Sequence, residues 1–169
     1  MKLIPGLITT ALVLTTGVLL ADTVPYKELT AEERAAIEAV APKTAQAKPL
    51  KARRVLISYI GKLNGKPVGG HPSIPFGNYA ITLMGKQTGA FETDVSNDEK
   101  VFLPENLAKY DAIVFNNAVG VIFDDPVLRQ SLVEFVHRGK GFVAFHAGGA
   151  ATFVQYPRYD FFPEFGVML

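Results

Sequence analysis

The sequence predicts an α/β fold: a doubly wound, mostly parallel sheet with helices on both faces. Three observations predict it. Arg54–Tyr59 is a short continuous apolar run rich in β-branched residues, the pattern of a strand buried on both faces, and Asp111–Phe115 and Gly141–Phe145 are further apolar strand runs. Segments with helical spacing separate them, and repeated strand–helix–strand units of this length build parallel sheets. A chain of 169 residues, 49% hydrophobic and 11% aromatic, has material for one domain's core.

In chain order, Met1-Lys2 precedes the uncharged and largely apolar run Leu3–Leu20, and Ala21 stands before the first acid, Asp22. A cationic start, an apolar stretch and a small residue at its end are the parts of a secretory signal peptide, so residues 1–21 are expected to be removed. An uncleaved anchor is the alternative, because the run approaches the length of a membrane span; Pro5, Gly6 and Gly17 argue against it. The expected destination is a bacterial periplasm or the exterior, with no stable membrane anchor after cleavage. Residues 22–52 read as a helix and a linker. Thr30 with Glu33 is a capping box for Ala31–Val40, Pro42 stops that helix, and Lys43–Lys51 has no period. The α/β domain is expected over 53–169.

Within it, the strand at Arg54–Tyr59 leads into Gly61–Pro75, which reads as a loop. Tyr79, Ala80, Leu83 and Met84 mark a helix over Phe76–Thr88 that Gly89 ends. Phe91–Val95 is a strand candidate and Pro104–Lys109 one or two helical turns. After the strand at Asp111–Phe115, Asp125 as N-cap and Pro126 at N1 open the best helix, with Leu128, Leu132, Phe135 and Val136 on one stripe. Gly139 closes it before Gly141–Phe145. The last residues, Phe165–Leu169, form an apolar run with no helix signal. Four strands are few for such a sheet, so the domain is expected to be incomplete within this sequence.

Composition removes several functions. With 17 Lys+Arg against 16 Asp+Glu there is no basic surplus for a nucleic-acid partner. The absence of cysteine excludes disulfides, thiolate metal sites and a cysteine nucleophile. Gly61, Gly65, Gly69 and Gly70 lack the spacing of a dinucleotide-binding or phosphate-binding loop.

Ligands of open parallel sheets bind beyond the carboxyl ends of the strands. That rule selects Ser58, Tyr59 and the loop Gly69-Gly70-His71-Pro72-Ser73, then Asn116-Asn117, then His146-Ala147-Gly148-Gly149. Ala144-Phe145-His146-Ala147-Gly148 has the spacing of a nucleophile elbow, where a sharp turn demands small flanking residues and lifts the central side chain into the cleft. The central residue is a histidine, able to act as acid, base or metal ligand; the plainer reading is an imidazole hydrogen-bonded at a strand end. His71 is a loop histidine, either a site residue or simply solvated. Asn116 and Asn117 either meet sugar hydroxyls or satisfy a turn. His137, in the last turn of its helix, reads as structural, and Asp124-Asp125 as a helix start. Aromatic residues in Tyr156–Phe162, Tyr159 among them, either stack on a sugar or belong to the core.

Gly69-Gly70-His71-Pro72, Tyr110–Asn117, Leu132–Ala147 and Tyr156-Pro157 together resemble the trehalose-utilisation (ThuA-like) family, a branch of the class I glutamine-amidotransferase-like, flavodoxin-like folds. The resemblance covers roughly residues 53–169 and is most specific from Gly139 to Ala147. It implies a role in carbohydrate metabolism, in the handling of trehalose-like disaccharides or their 3-oxo derivatives. His71 and His146 match the family's two marked histidines. The amidotransferases carry a cysteine where this chain has His146, so no glutamine hydrolysis is implied. Members of the family usually continue to a further His-Pro motif and more strands. The expected site is therefore catalytic His146 and His71, as an acid–base pair or as ligands of a divalent metal such as zinc, with Asn116, Asn117, Ser73, Gly148 and Tyr159 against a small saccharide. A saccharide-binding module without catalysis is the alternative.

Overall fold

The computed structural model describes residues 26–155, 158–159 and 162–168; the expected signal peptide lies outside them. Along the chain run α1 (Ala31–Val40), β1 (Arg54–Ser58), β2 (Gly61–Leu63), β3 (Lys66–Pro67), α2 (Ile74–Thr88), β4 (Glu92–Ser96), a 3-10 turn at Glu99–Phe102, α3 (Pro104–Leu107), β5 (Ala112–Asn116), β6 (Val119–Gly120), α4 (Pro126–His137), β7 (Gly141–Phe145), α5 (Ala147–Ala150), β8 (Val154–Gln155), β9 (Arg158–Tyr159) and α6 (Pro163–Val167). The four long strands form one parallel sheet in the order β4-β1-β5-β7. The fold is thus α/β and flavodoxin-like in strand order, and the chain reverses its direction of winding between β1 and β5.

The sheet separates two apolar layers. Val55, Ile57 and Val114 pack with Ile81 and Phe91 on the α2 side. On the other side Leu56, Ile113 and Phe115 meet Phe102, Leu107, Leu128, Leu132, Phe135 and Phe165. Asp125 caps α4 by accepting from the Val127 N–H at 2.8 Å, and Leu128, Leu132 and Phe135 turn inward as their stripe requires. The β7 edge is covered on one side only: Phe142 and Ala144 pack on the larger layer, while Val143 and Phe145 remain 44% and 47% exposed.

Three sequence expectations are corrected. Gly61–Pro75 is not all loop: β2 and β3 pair as an antiparallel hairpin, and β2 also pairs with β6. Asn64 and Gly65 both take positive φ, 51° and 72°, which is what a two-residue hairpin turn of this hand needs. Helix α2 begins at Ile74, because Pro75 sits in its first turn, where a missing N–H costs nothing. The chain's last described stretch is a helix, α6, whose Phe165 is buried against Phe115 and Phe153. Phe162 joins the same aromatic cluster, stacked on Phe165, whereas Tyr156, Pro157, Asp160 and Phe161 lie outside the described residues.

Helix α1 has the capping box that its sequence predicts. It buries no residue of its own but lies on α2, where Arg34 stacks over the Tyr79 ring at 5.2 Å and the Tyr79 hydroxyl donates to Glu38. No helix among the described residues is long and apolar enough to cross a membrane.

Candidate functional site

Three segments meet at the carboxyl end of the sheet. The chain leaves β7 through a turn at His146, with φ 50° and ψ −115°, into the short helix α5. Such backbone angles cost a non-glycine residue on the order of 1–3 kcal/mol and hold only where the surroundings enforce them. Here the enforcement is visible. The Gly149 and Ala150 N–H groups donate to the His146 carbonyl, and Thr152 Oγ1 bonds to the carbonyls of Ala118 and Gly148 at 3.0 and 2.9 Å. Gly148 presses its Cα against the Phe115 carbonyl, where a Cβ would collide. The small residue two places after the histidine therefore serves close backbone packing, as the elbow spacing implies.

The second segment follows β5. Asn116 and Asn117 are buried, and Asn117 also takes a positive φ of 57°. The Asn116 amide nitrogen donates to the Ile74 carbonyl at 3.0 Å and to Asn78 Oδ1 at 2.8 Å. Asn117 Nδ2 donates to Asn116 Oδ1 at 2.9 Å, and Asn117 Oδ1 lies 3.0 Å from His146 Nδ1. Gly77 makes room for this arrangement, since a Cβ there would stand 2.6 Å from the Asn116 amide.

The third segment carries His71, just ahead of α2. Its ring meets that of His146 edge to face, with centroids 5.0 Å apart and planes at 73°. Ser73 Oγ lies 2.8 Å from His71 Nδ1, and the Ser73 N–H donates to the same nitrogen at 3.3 Å. Asn117 Nδ2 reaches Ser73 Oγ at 3.5 Å, which links the two imidazoles through one carboxamide. Both rings are exposed to solvent. Beside them the Gly70 N–H donates to the Tyr26 hydroxyl at 2.7 Å, and Tyr26 meets Tyr59 edge to face at 5.3 Å. Burial pushes the Tyr59 phenol above its ordinary range, with the Tyr26 ring adding to the shift.

Of the residues selected from sequence, His146, His71, Asn116, Asn117 and Ser73 thus form one connected group. Gly148 is buried beneath it, and the side chain of Tyr159 lies outside the described residues. Ser58 is fully buried, its Oγ without a hydrogen-bond partner among the described residues. It shares register with Phe115 and so belongs to the sheet face away from Asn116. Sequence reasoning missed Asn78 and Tyr26. A glycine at 77 inside a helix was the available signal for Asn78, since it marks a close approach; Tyr26 had none.

A divalent metal fits this group poorly. Zinc takes at least three protein ligands, and among the described residues no three His, Cys, Asp or Glu come together.

A parallel α/β sheet wound in the flavodoxin order, with a histidine on the elbow after β7, defines the class. A family model for trehalose utilisation (ThuA) matches residues 63–164, more than half of the chain, and the protein belongs to that family. Both histidines lie inside the matched stretch, while Tyr26 and α1 precede it. No curated protein and no solved structure matches the chain.

Proposed function

We propose that the chain is an exported, periplasmic or secreted, carbohydrate-processing protein that works on trehalose-like disaccharides or their 3-oxo derivatives, with His71 and His146 as its proton-handling pair. The observation that carries this reading is the meeting of two solvent-accessible imidazoles, ring centroids 5.0 Å apart, at the reversal point of the sheet. Imidazole changes charge near neutral pH and serves as both acid and base toward hydroxyl and carbonyl groups. Family membership supports a role in trehalose utilisation and so a substrate of this kind. The signal-like segment Met1–Ala21 supports export. An elbow without a thiol, in a chain without cysteine, supports the expectation that glutamine is not hydrolysed.

The rival, a saccharide-binding module, draws on the amides of Asn116 and Asn117, and the hydrogen bonds of both to protein groups favour the enzyme. Turnover of a 3-oxo-disaccharide and its binding by calorimetry, measured on the full chain and on His146→Gln, separate the two. The enzyme reading expects turnover to fall at least about 100-fold with binding retained. Binding without turnover in either protein selects the module, and neither binding nor turnover overturns both.

A further inference from the structure

The hydrogen bonds around the two histidines fix more than their positions. A backbone carbonyl can only accept, so the contact with Ile74 O at 3.0 Å settles which end of the Asn116 amide faces α2. Its second N–H goes to Asn78 Oδ1 at 2.8 Å, which leaves Asn116 Oδ1 turned toward Asn117. That oxygen takes the Asn117 N–H at 2.9 Å, and the Asn117 oxygen therefore faces His146 Nδ1 at 3.0 Å. An acceptor at that distance requires the ring proton on Nδ1, so neutral His146 presents a bare Nε2. The opposite holds at His71. The Ser73 N–H can only donate, and it points at His71 Nδ1 at 3.3 Å. The Ser73 hydroxyl, receiving Asn117 Nδ2 on its oxygen, has its own proton free for the same nitrogen at 2.8 Å. Neutral His71 thus carries its proton on Nε2.

We propose that Asn78, Asn116 and Asn117 are positioning residues that lock the two imidazoles in opposite tautomers. His146 Nε2 then acts as the proton acceptor and His71 Nε2–H as a neutral hydrogen-bond donor toward a substrate oxygen. This assignment of roles rests on the proton-handling reading above, but the tautomers themselves do not. The substrate it suits presents an acidic C–H next to a carbonyl whose oxygen gains negative charge, as the carbon beside a sugar carbonyl does. The proton moves to His146 Nε2, and the electron pair it leaves behind is stabilised at the oxygen that His71 faces. An imidazole kept neutral serves that second role without itself giving up a proton.

Long-range ¹H–¹⁵N spectra of histidine-labelled full-length protein near pH 8, above the ordinary imidazole range, tell protonated from bare ring nitrogens. The expected spectrum has His146 protonated on Nδ1 and His71 on Nε2; the same tautomer at both, or the reverse, overturns the proposal. Asn116→Ala removes the anchor and is expected to give His146 a mixture of tautomers. With it kcat is expected to fall about tenfold or more at little change in KM. A single unchanged tautomer in a folded Asn116→Ala protein also overturns it. The expected tautomers together with an active His146→Gln protein leave the relay standing and remove the catalytic roles instead.

Discussion

The two ends of the same four strands are built on different chemistry. At the carboxyl end, carboxamides and imidazoles sit on strained backbone, with His146 and Asn117 both at positive φ. At the amino end, ion pairs tie ordinary backbone together. Asp111 is bonded by Lys51 at 2.7 Å and by the Arg54 N–H at 3.1 Å, and Arg54 holds Asp94 with two contacts of 2.9 Å. The bond from Lys51, then that from the Arg54 N–H, draws the Asp111 carboxyl down to about 2. The Arg54 guanidinium, then the Tyr110 hydroxyl, lowers Asp94, while burial and that same Asp94 bond push the Tyr110 phenol well above its ordinary range. One end keeps imidazoles and carboxamides in a hydrogen-bonded chain; the other keeps paired charges. The contrast teaches that one sheet can carry positive-φ backbone at one end and charge-paired, unstrained backbone at the other.

The largest expected break in this contrast comes from Gly148→Val. Its side chain has no place beside the Phe115 carbonyl, so the elbow must move. We expect a loss of about 1–3 kcal/mol in urea unfolding and turnover down about 100-fold, as misplacement of reacting groups produces. A variant that retains both stability and turnover would show that the elbow has slack.

His146→Gly sharpens the contrast in the opposite direction. Glycine relieves the positive φ, and after subtraction of the lost contact to Asn117 the protein is expected to gain up to about 1 kcal/mol. On the proposed roles, turnover is expected to be lost. A protein less stable than the parent would mean that the bend is not strained.

Asp111→Asn is the smallest of the three and acts only at the amino end. A depressed carboxyl pKa favours the folded state whenever the group is ionised. This stabilisation is full above the ordinary carboxylate range and drains away as pH falls toward about 2. The variant is expected to lose about 1 kcal/mol near neutral pH, a modest figure because Lys51 and Arg53 are largely in water. Its stability should also decline less than the parent's on acidification, with turnover unchanged. An identical acid limb in thermal melts at stepped pH would refute the assignment.

The two inner strands, Arg54–Ser58 and Ala112–Asn116, were legible because burial on both faces of a parallel sheet leaves unbroken apolar runs, whereas Gly141–Phe145 carries such a run at the sheet edge, where Val143 and Phe145 stay about half exposed. Helix α4 announced itself through Asp125 and Pro126. The hairpin at Gly61–Pro67 did not, because its strands are short and partly exposed and carry no alternation, although Asn64-Gly65 marked its turn. Helix α6 lacks a side-chain cap and is held by Phe165, a tertiary contact. In the site, the elbow was legible from its small neighbours and His71 from its loop. The amide relay was not, since Asn116 reaches Ile74 and Asn78 across 42 and 38 positions of chain, and no local spacing encodes such bonds. Tyr26 lies still further outside any local pattern, 44 positions from the Gly70 N–H it accepts.

The strand order also sets a timetable. The sheet's interior strand β1 is synthesised first, yet its neighbours, paired at Ile57 with Val95 and with Val114, come much later. Until then Val55-Leu56-Ile57 has no partner on either side, and pairing at such separation in sequence is slow. Lys51, Arg53 and Arg54, which end up on Asp111 and Asp94, stand directly before that greasy triplet. In the nascent chain the same cations act as gatekeepers against clumping, so the fasteners of the finished sheet guard its oldest strand while it waits.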